Sequence, residues 1–346
     1  MKIGILTWFF ADNYGAKAQS FALQKILESM GHNAEMINYE PIRCKVLNLK
    51  MCMNHPGCKF NPVSLFRDLI RHFALSRSKS IYNISPKIES AKSINEQHYD
   101  YVVLGSDAIF NLLHPMGDKL YYGVGIETKK ITYSPSCEYM QTGYRLSSEE
   151  IESLRVMDEI SVRDERTKRL LQKNGFSNIV ETLDPTFLYN FESFSKKIPE
   201  KKYILVYCFS DWNEYSEIFR QFAKEKNLKI ISIGRICTWA DKSYDAVGLE
   251  KWVSAFRDAS YIITDSYHGS IFSIKNHKEF ILLSRIDKIA KISSLLSQFK
   301  IQRPVFKGNC NVDDYINQNP IDYESVDGMI AKLVNESLNY LRKKII

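Results

Sequence analysis

Short apolar runs rich in β-branched residues alternate with amphipathic helical patterns along almost the whole chain, and this alternation leaves few folds open. The runs are Lys2–Trp8, Glu35–Tyr39, Tyr101–Gly105, Lys130–Ser134 and Glu159–Val162, then Tyr203–Phe209, Lys229–Ile233, Tyr261–Thr264 and Phe280–Leu283. Between them, Ala18–Met30 sets Phe21, Leu23, Ile26 and Leu27 against Gln19, Ser20 and Lys25, and Thr167–Asn174 and Trp212–Lys226 behave similarly. Strands that are apolar on both faces and joined through helices read as parallel sheets covered on both sides. The fold class is therefore α/β.

The chain has 346 residues, enough for two domains with separate cores. The alternation pauses at Tyr189–Lys202, a polar, charged stretch punctuated by Pro199, and a fresh apolar strand follows. That pause reads as an interdomain linker between a first lobe at 1–190 and a second at 200–346. The final pattern, Glu324–Lys344, places Val326, Met329, Ile330, Leu333, Val334, Leu338 and Leu341 on one helix face. It is expected to dock as part of the second lobe. Cys44–Ser93 is a weaker, basic region carrying Lys59, Arg67, Arg71, Arg77, Lys79, Lys87 and Lys92, with an amphipathic helix at Ser64–Leu75. It reads either as a solvated surface segment or as an insertion facing a membrane surface or an acceptor.

Composition excludes several classes. The hydrophobic share of 45% and charged share of 25% are those of an ordinary globular protein. A net charge of +7 suits small acidic ligands or an anionic surface, and no aromatic-interleaved basic strand or helix-turn-helix pattern points to nucleic acid. No apolar run approaches the ~20 residues of a membrane span. The N-terminus enters a strand directly, without a charged, then apolar, then small-residue leader, so a cytoplasmic location is expected. Seven cysteines, an odd number, suggest free thiols. Cys52, His55 and Cys58 match no standard zinc knuckle, and His55-Pro56-Gly57 reads as a turn, so no metal is expected. There is no Walker A loop, no Gly-x-Gly-x-x-Gly and no Gly-x-Ser-x-Gly elbow.

Four strand exits carry candidate chemistry. The first runs through Asn13, Tyr14 and Gly15 into a helix, where Gly15 would let a ligand approach the backbone. The second ends in Gly105-Ser106-Asp107. Asp107 could orient a hydroxyl or act as a base, and Ser106 and Asp107 could equally be helix caps. The third, Thr264-Asp265-Ser266-Tyr267-His268-Gly269-Ser270, is the sharpest. Ser266 and the amides of Gly269 and Ser270 could hold a phosphate at a helix start, and histidine exchanges protons near neutral pH. A capped helix with a satisfied histidine is the plainer reading. The fourth is Ser161-Val162-Arg163-Asp164, whose arginine could fork onto a carboxylate or phosphate, or pair with Asp164 or Glu165.

Taken in order, these segments resemble the polysaccharide pyruvyl transferase family. The resemblance rests on Asn13-Tyr14-Gly15-Ala16, Ala22-Leu23-Gln24, Gly105-Ser106-Asp107, Tyr133-Ser134-Pro135-Ser136, Ser161-Val162-Arg163-Asp164 and Asp184-Pro185-Thr186. It continues through Thr264-Asp265-Ser266-Tyr267-His268-Gly269, Arg285, Ser294-Leu295-Leu296 and Arg303, and spans roughly residues 1–305. Ala108 and Phe110 stand where the family usually carries Gln and Trp, which bears on the acceptor.

The resemblance implies two Rossmann-like lobes with parallel sheets, similar to the B-type glycosyltransferase (GT-B) fold. It implies phosphoenolpyruvate as co-substrate, no cofactor, and a sugar acceptor that is lipid-linked or nucleotide-linked, with peripheral contact at the inner face of a membrane as a further expectation. His268 would be the acid/base and Arg163 the anion clamp. Asp265, Ser266, Gly269, Ser270 and Arg285 would face the donor phosphate; Asn13, Tyr14, Gly15, Ser106 and Asp107 would face the acceptor. A nucleotide-sugar glycosyltransferase, or a non-catalytic glycan-binding protein on the same fold, remains the alternative.

Overall fold

The structure, a computed structural model, describes residues 1–53, 69–75, 78–141, 143–284 and 289–346. Two compact units emerge. The first takes in Met1–Lys50, Lys79–Asn190 and Ile330–Ile346; the second takes in the described residues of Met51–Ser78 together with Phe191–Met329.

The first unit holds a five-stranded parallel sheet. Its strands are β1 (Lys2–Leu6), β2 (Asn33–Tyr39), β3 (Ile84–Ile88), β4 (Tyr101–Asp107) and β5 (Lys130–Pro135), in the spatial order β3-β2-β1-β4-β5. A two-stranded parallel pair, β6 (Ile160–Val162) and β7 (Ile179–Glu181), lies beside β5. Ser161 stitches it there: its amide donates to Thr132 Oγ1 at 2.7 Å, and its Oγ accepts from the Ser134 amide at 2.9 Å. The main helices are α1 (Tyr14–Ser29), α2 (Ile42–Met53) and α3 (Glu165–Lys173).

The second unit repeats the plan with β8 (Tyr203–Tyr207), β9 (Lys229–Ile233), β10 (Lys242–Tyr244), β11 (Tyr261–Thr264) and β12 (Phe280–Leu282), ordered β10-β9-β8-β11-β12 and parallel throughout. Its helices include α4 (Ser216–Glu225), α5 (Leu249–Asp258) and α6 (Tyr267–Lys275). Ile204, Val206, Phe219, Phe222, Ile230 and Ile263 belong to one buried cluster. Each unit is thus a Rossmann-like lobe, with the strand order reversing between β1 and β4 in the first and between β8 and β11 in the second.

Two features depart from expectation. The basic region contributes a strand of the first sheet: β3 is its edge, and Pro86 is tolerated there because an edge strand need not donate from every residue. The terminal helix α7 (Tyr323–Lys344) is shared between units rather than confined to the second. Its later part meets first-lobe residues, with Ser337 Oγ accepting from the Leu183 amide at 3.0 Å and Lys344 paired to Glu159 at 3.4 Å. The expected helix at Ser64–Leu75 is helical over 69–75; its start, Lys59, Arg67, Arg77 and the His55-Pro56-Gly57 turn lie outside the described residues. Among the described residues no helix is long and apolar enough to cross a membrane.

Candidate functional site

In doubly wound sheets ligands bind beyond the carboxyl ends of the two strands that flank the reversal of strand order. In the first lobe those ends carry Trp8–Gly15 after β1 and Gly105–Asp107 at the end of β4. In the second they carry Cys208–Trp212 after β8 and Asp265–Ser270 after β11. The candidate segments therefore sit at both switch points. Arg163 lies in the first lobe and His268 in the second.

The first-lobe exits are built from caps and close backbone approaches. Asn13 caps α1, its Oδ1 accepting from the amides of Gly15 at 2.8 Å and Ala16 at 3.2 Å. The Gly15 amide is thereby taken by the cap. Tyr14 is buried. Gly105 is required by packing: at φ 142° a Cβ there would meet the Tyr133 carbonyl oxygen at 1.9 Å. The Gly105–Ser106 peptide is cis. Ser106 is fully buried, its carbonyl accepts from Thr7 Oγ1 at 2.8 Å, and its hydroxyl has no partner among the described residues. Asp107 adopts φ 79°, a left-handed conformation uncommon for a non-glycine and often found at functional sites. Its Oδ1 accepts from the Ala108 amide at 2.8 Å.

Arg163 leaves β6 and turns to carboxylates of its own lobe. Its Nη1 lies 3.3 Å from Asp184 Oδ2 and 3.7 Å from Asp107 Oδ1, with the side chain 4% exposed. The sequence alternatives of Asp164 and Glu165 as its partners are not realised: Asp164 caps α3 and takes Ser136 Oγ at 2.6 Å, while Glu165 pairs with Arg169. Within this lobe Arg163 acts first as the group that holds two carboxylates at neighbouring strand exits.

In the second lobe Asp265 organises the loops at two strand exits. Its carboxylate accepts from the amides of Phe209 at 2.7 Å and Ser210 at 2.9 Å and from Trp212 Nε1 at 3.1 Å, tying the β8 exit to the β11 exit. Ser266 caps α6. Its Oγ accepts from the Gly269 amide at 2.8 Å, and its carbonyl accepts from the Ser270 amide at 2.9 Å and Ser270 Oγ at 3.1 Å. The Gly269 amide is thus taken by the cap, and the Ser270 amide by the first hydrogen bond of the helix. Glycine is required at 269 because a Cβ there would meet Thr264 Oγ1 at 2.1 Å. His268 stands in the first turn of α6, 9% exposed, its ring edge-on to Tyr267 at 5.3 Å. Arg285 lies outside the described residues.

Sequence reasoning passed over Lys17. It is fully buried one turn into α1, its Nζ reaches only the Phe9 carbonyl, at 3.5 Å, among the described residues, and burial lowers its pKa to about 8 against a smaller opposing pull from Asp12. The signal was present, since Lys17 falls on the same helix stripe as Tyr14 and Phe21. Trp8, Asn111 and Tyr121 were also missed. Trp8 Nε1, Asn111 Nδ2 and Tyr121 Oη are buried without a partner among the described residues, with the Trp8 ring 4.7 Å from His114 and 6.1 Å from Tyr121. Phe110 instead belongs to the core, stacked on Tyr122 at 4.2 Å. Among the described residues no group of three His, Cys, Asp or Glu side chains is placed to hold a metal ion.

The sequence profile of polysaccharide pyruvyl transferases matches residues 13–287, which takes in Asn13–Gly15, Gly105–Asp107, the β6 exit and the Asp265–Ser270 segment. The chain belongs to the polysaccharide pyruvyl transferase family. No curated protein matches the sequence. Solved structures with similar folds include the UDP-GlcNAc 2-epimerase of Methanocaldococcus jannaschii, at 11% identity, TM-score 0.44, covering 97% of this chain and 100% of that one. They also include the UDP-GlcNAc 2-epimerase of Neisseria meningitidis, at 10% identity, TM-score 0.46, covering 98% and 100%. A third is the glycosyltransferase SnogD of Streptomyces nogalater, at 8% identity, TM-score 0.47, covering 99% of each chain. At these scores the likeness speaks to neither reaction nor ligand. Family membership supports a transferase working on glycans.

Proposed function

We propose that the protein transfers the enolpyruvyl group of phosphoenolpyruvate onto two hydroxyls of one sugar, forming a pyruvate ketal during surface or exopolysaccharide synthesis. The observation that carries the reading is the position of His268. It leaves the β11 end at the second lobe's switch point, inside the segment matched to the family. Protonation of the donor's methylene carbon develops positive charge at C2, one sugar hydroxyl adds there, phosphate departs, and the second hydroxyl closes the ketal. Of the two hydroxyl protons lost, one is balanced by the new methyl C–H and the other by the phosphate. His268 supplies the proton to carbon. Asp107, held by Arg163 at the first lobe's switch point, accepts a proton from the acceptor. Arg285 is assigned to the donor's anionic groups.

The test is thermal stability of the purified protein with phosphoenolpyruvate and, separately, with a panel of nucleotide sugars. A ligand that binds only the folded state stabilises by about 2.7 kcal/mol at a hundredfold excess over its Kd. A raised midpoint with phosphoenolpyruvate, retained in His268→Ala, supports the reading. A rise with a nucleotide sugar alone converts the protein to a glycosyltransferase. Binding of glycans without either donor marks a non-catalytic protein.

A further inference from the structure

Helix α2 and the edge of the first sheet form a surface that the transfer reaction does not use. Three observations meet there. Ile42, Lys45 and Val46 stand at i, i+3 and i+4 of α2 and so share one helix face. Ile42 is 77% exposed and Val46 47% exposed, although both are aliphatic. The helix is anchored from its other side: Cys44 is fully buried, and Arg43 donates to the Gly117 carbonyl at 3.0 Å and pairs with Asp118.

Lys45 also lines a cavity of about 280 Å³, shared with Asn38, Glu40, Lys79, Ile84 and Lys87. Asn38 and Lys87 are register partners on β2 and β3, so the sheet itself sets this wall. Glu40 is the cavity's one carboxylate and is taken by Lys79 at 2.8 Å; Lys87 pairs with the solvent-exposed Glu89 outside the cavity. Lys45 has no carboxylate within ion-pair reach among the described residues. Three lysines against one carboxylate leave the cavity with an excess of positive charge, and the exposed Ile42 and Val46 share the α2 face of its Lys45.

We infer that this face docks on an anionic lipid bilayer, with a headgroup phosphate in the cavity of Lys45, Lys79 and Lys87 and with Ile42 and Val46 entering the boundary between headgroups and acyl chains. A soluble phosphate would account for the amines alone. The exposed Ile42 and Val46 gain only where an apolar phase meets the phosphate, which is the arrangement of a helix lying in a membrane interface. Charge complementarity selects the bilayer, since each lysine near an anionic leaflet adds to the attraction and salt screens it. The inference is independent of the donor chemistry: loss of pyruvyl transfer would leave it standing, and loss of membrane binding would leave the transfer reaction standing.

Flotation with phosphatidylcholine vesicles, with and without phosphatidylglycerol, tests it on the full-length protein, with melting midpoints of each variant as the check on folding. The wild-type chain floats only with phosphatidylglycerol and releases as salt rises. Lys45→Ala lowers the partition coefficient about fivefold, Lys45→Ala with Lys87→Ala lowers it further, and Ile42→Ser with Val46→Ser also weakens it, all with wild-type melting. No flotation, equal flotation with neutral vesicles, or flotation unchanged in these variants overturns the inference. So does saturable binding of glycerol phosphate without flotation, which would assign the cavity to a soluble ligand.

Discussion

Arg163 Nη1 lies 3.3 Å from Asp184 Oδ2 with both side chains almost wholly buried, so a cation leaving β6 and a carboxylate following β7 hold each other out of water. Asp184 also caps the short helix Pro185–Leu188, its Oδ1 accepting from the Thr186 amide at 3.1 Å and from Thr186 Oγ1 at 2.7 Å. Removing one partner of a buried ion pair leaves the other charge uncompensated. Asp184→Asn should therefore cost about 3 kcal/mol, read as a lower urea midpoint with an unchanged slope. An unchanged midpoint would show that Asp107 alone satisfies Arg163.

His268→Ala should reduce turnover about 10²- to 10⁴-fold, the usual worth of a positioned general acid, while the melting midpoint stays close to wild type. Single-turnover assays with phosphoenolpyruvate and an accepted sugar read the first quantity, and circular dichroism the second. Full turnover in the variant removes His268 from the chemistry.

Two glycines on helices should respond in opposite directions. A Cβ at Gly269 would meet Thr264 Oγ1 at 2.1 Å, and that hydroxyl is fixed by its 2.7 Å bond to the Tyr207 carbonyl. Gly269→Ala should thus cost about 1–3 kcal/mol through displacement of the α6 start. At Gly328, within α7, a Cβ would meet nothing within 4 Å, and Gly328→Ala should stabilise by about 0.5–1 kcal/mol. Paired thermal melts compare the two; destabilisation by both would mean that helix propensity is not the controlling term at 328.

Lys17 sets a pH dependence. Burial takes its pKa from the ordinary lysine value of 10.5 down to about 8, so between those values the unfolded chain holds more protons than the folded one and stability rises with pH. Below about 8 the full cost of burying the charge is present, roughly 3 kcal/mol from the size of the shift. Lys17→Met should therefore stabilise the protein at pH 7, and the advantage over wild type should shrink as the pH approaches 10.5. Urea titrations of both proteins across that range give the difference directly. A gain that does not vary with pH would trace to packing instead of to the amine.

The alternation of apolar strands and amphipathic helices was enough to determine parallel α/β lobes, because a strand buried on both faces must be apolar throughout and must be covered by its crossover helices. Gly105, Ser106, Asp107 and the Asp265–Ser270 segment were legible as strand exits for the same reason: small and capping residues end a buried strand abruptly. What those residues do to one another was decided only by the tertiary structure. Asp265 reaches back to the β8 exit, and Arg163 finds Asp107 and Asp184 instead of its chain neighbours. Each of these contacts joins strand ends that are close in space but distant in sequence, and one-dimensional spacing carries no such distance. The β3 edge strand and the divided terminal helix were hidden likewise. A short strand containing proline and a single amphipathic stripe state that an element is docked, and only the packed lobes determine where.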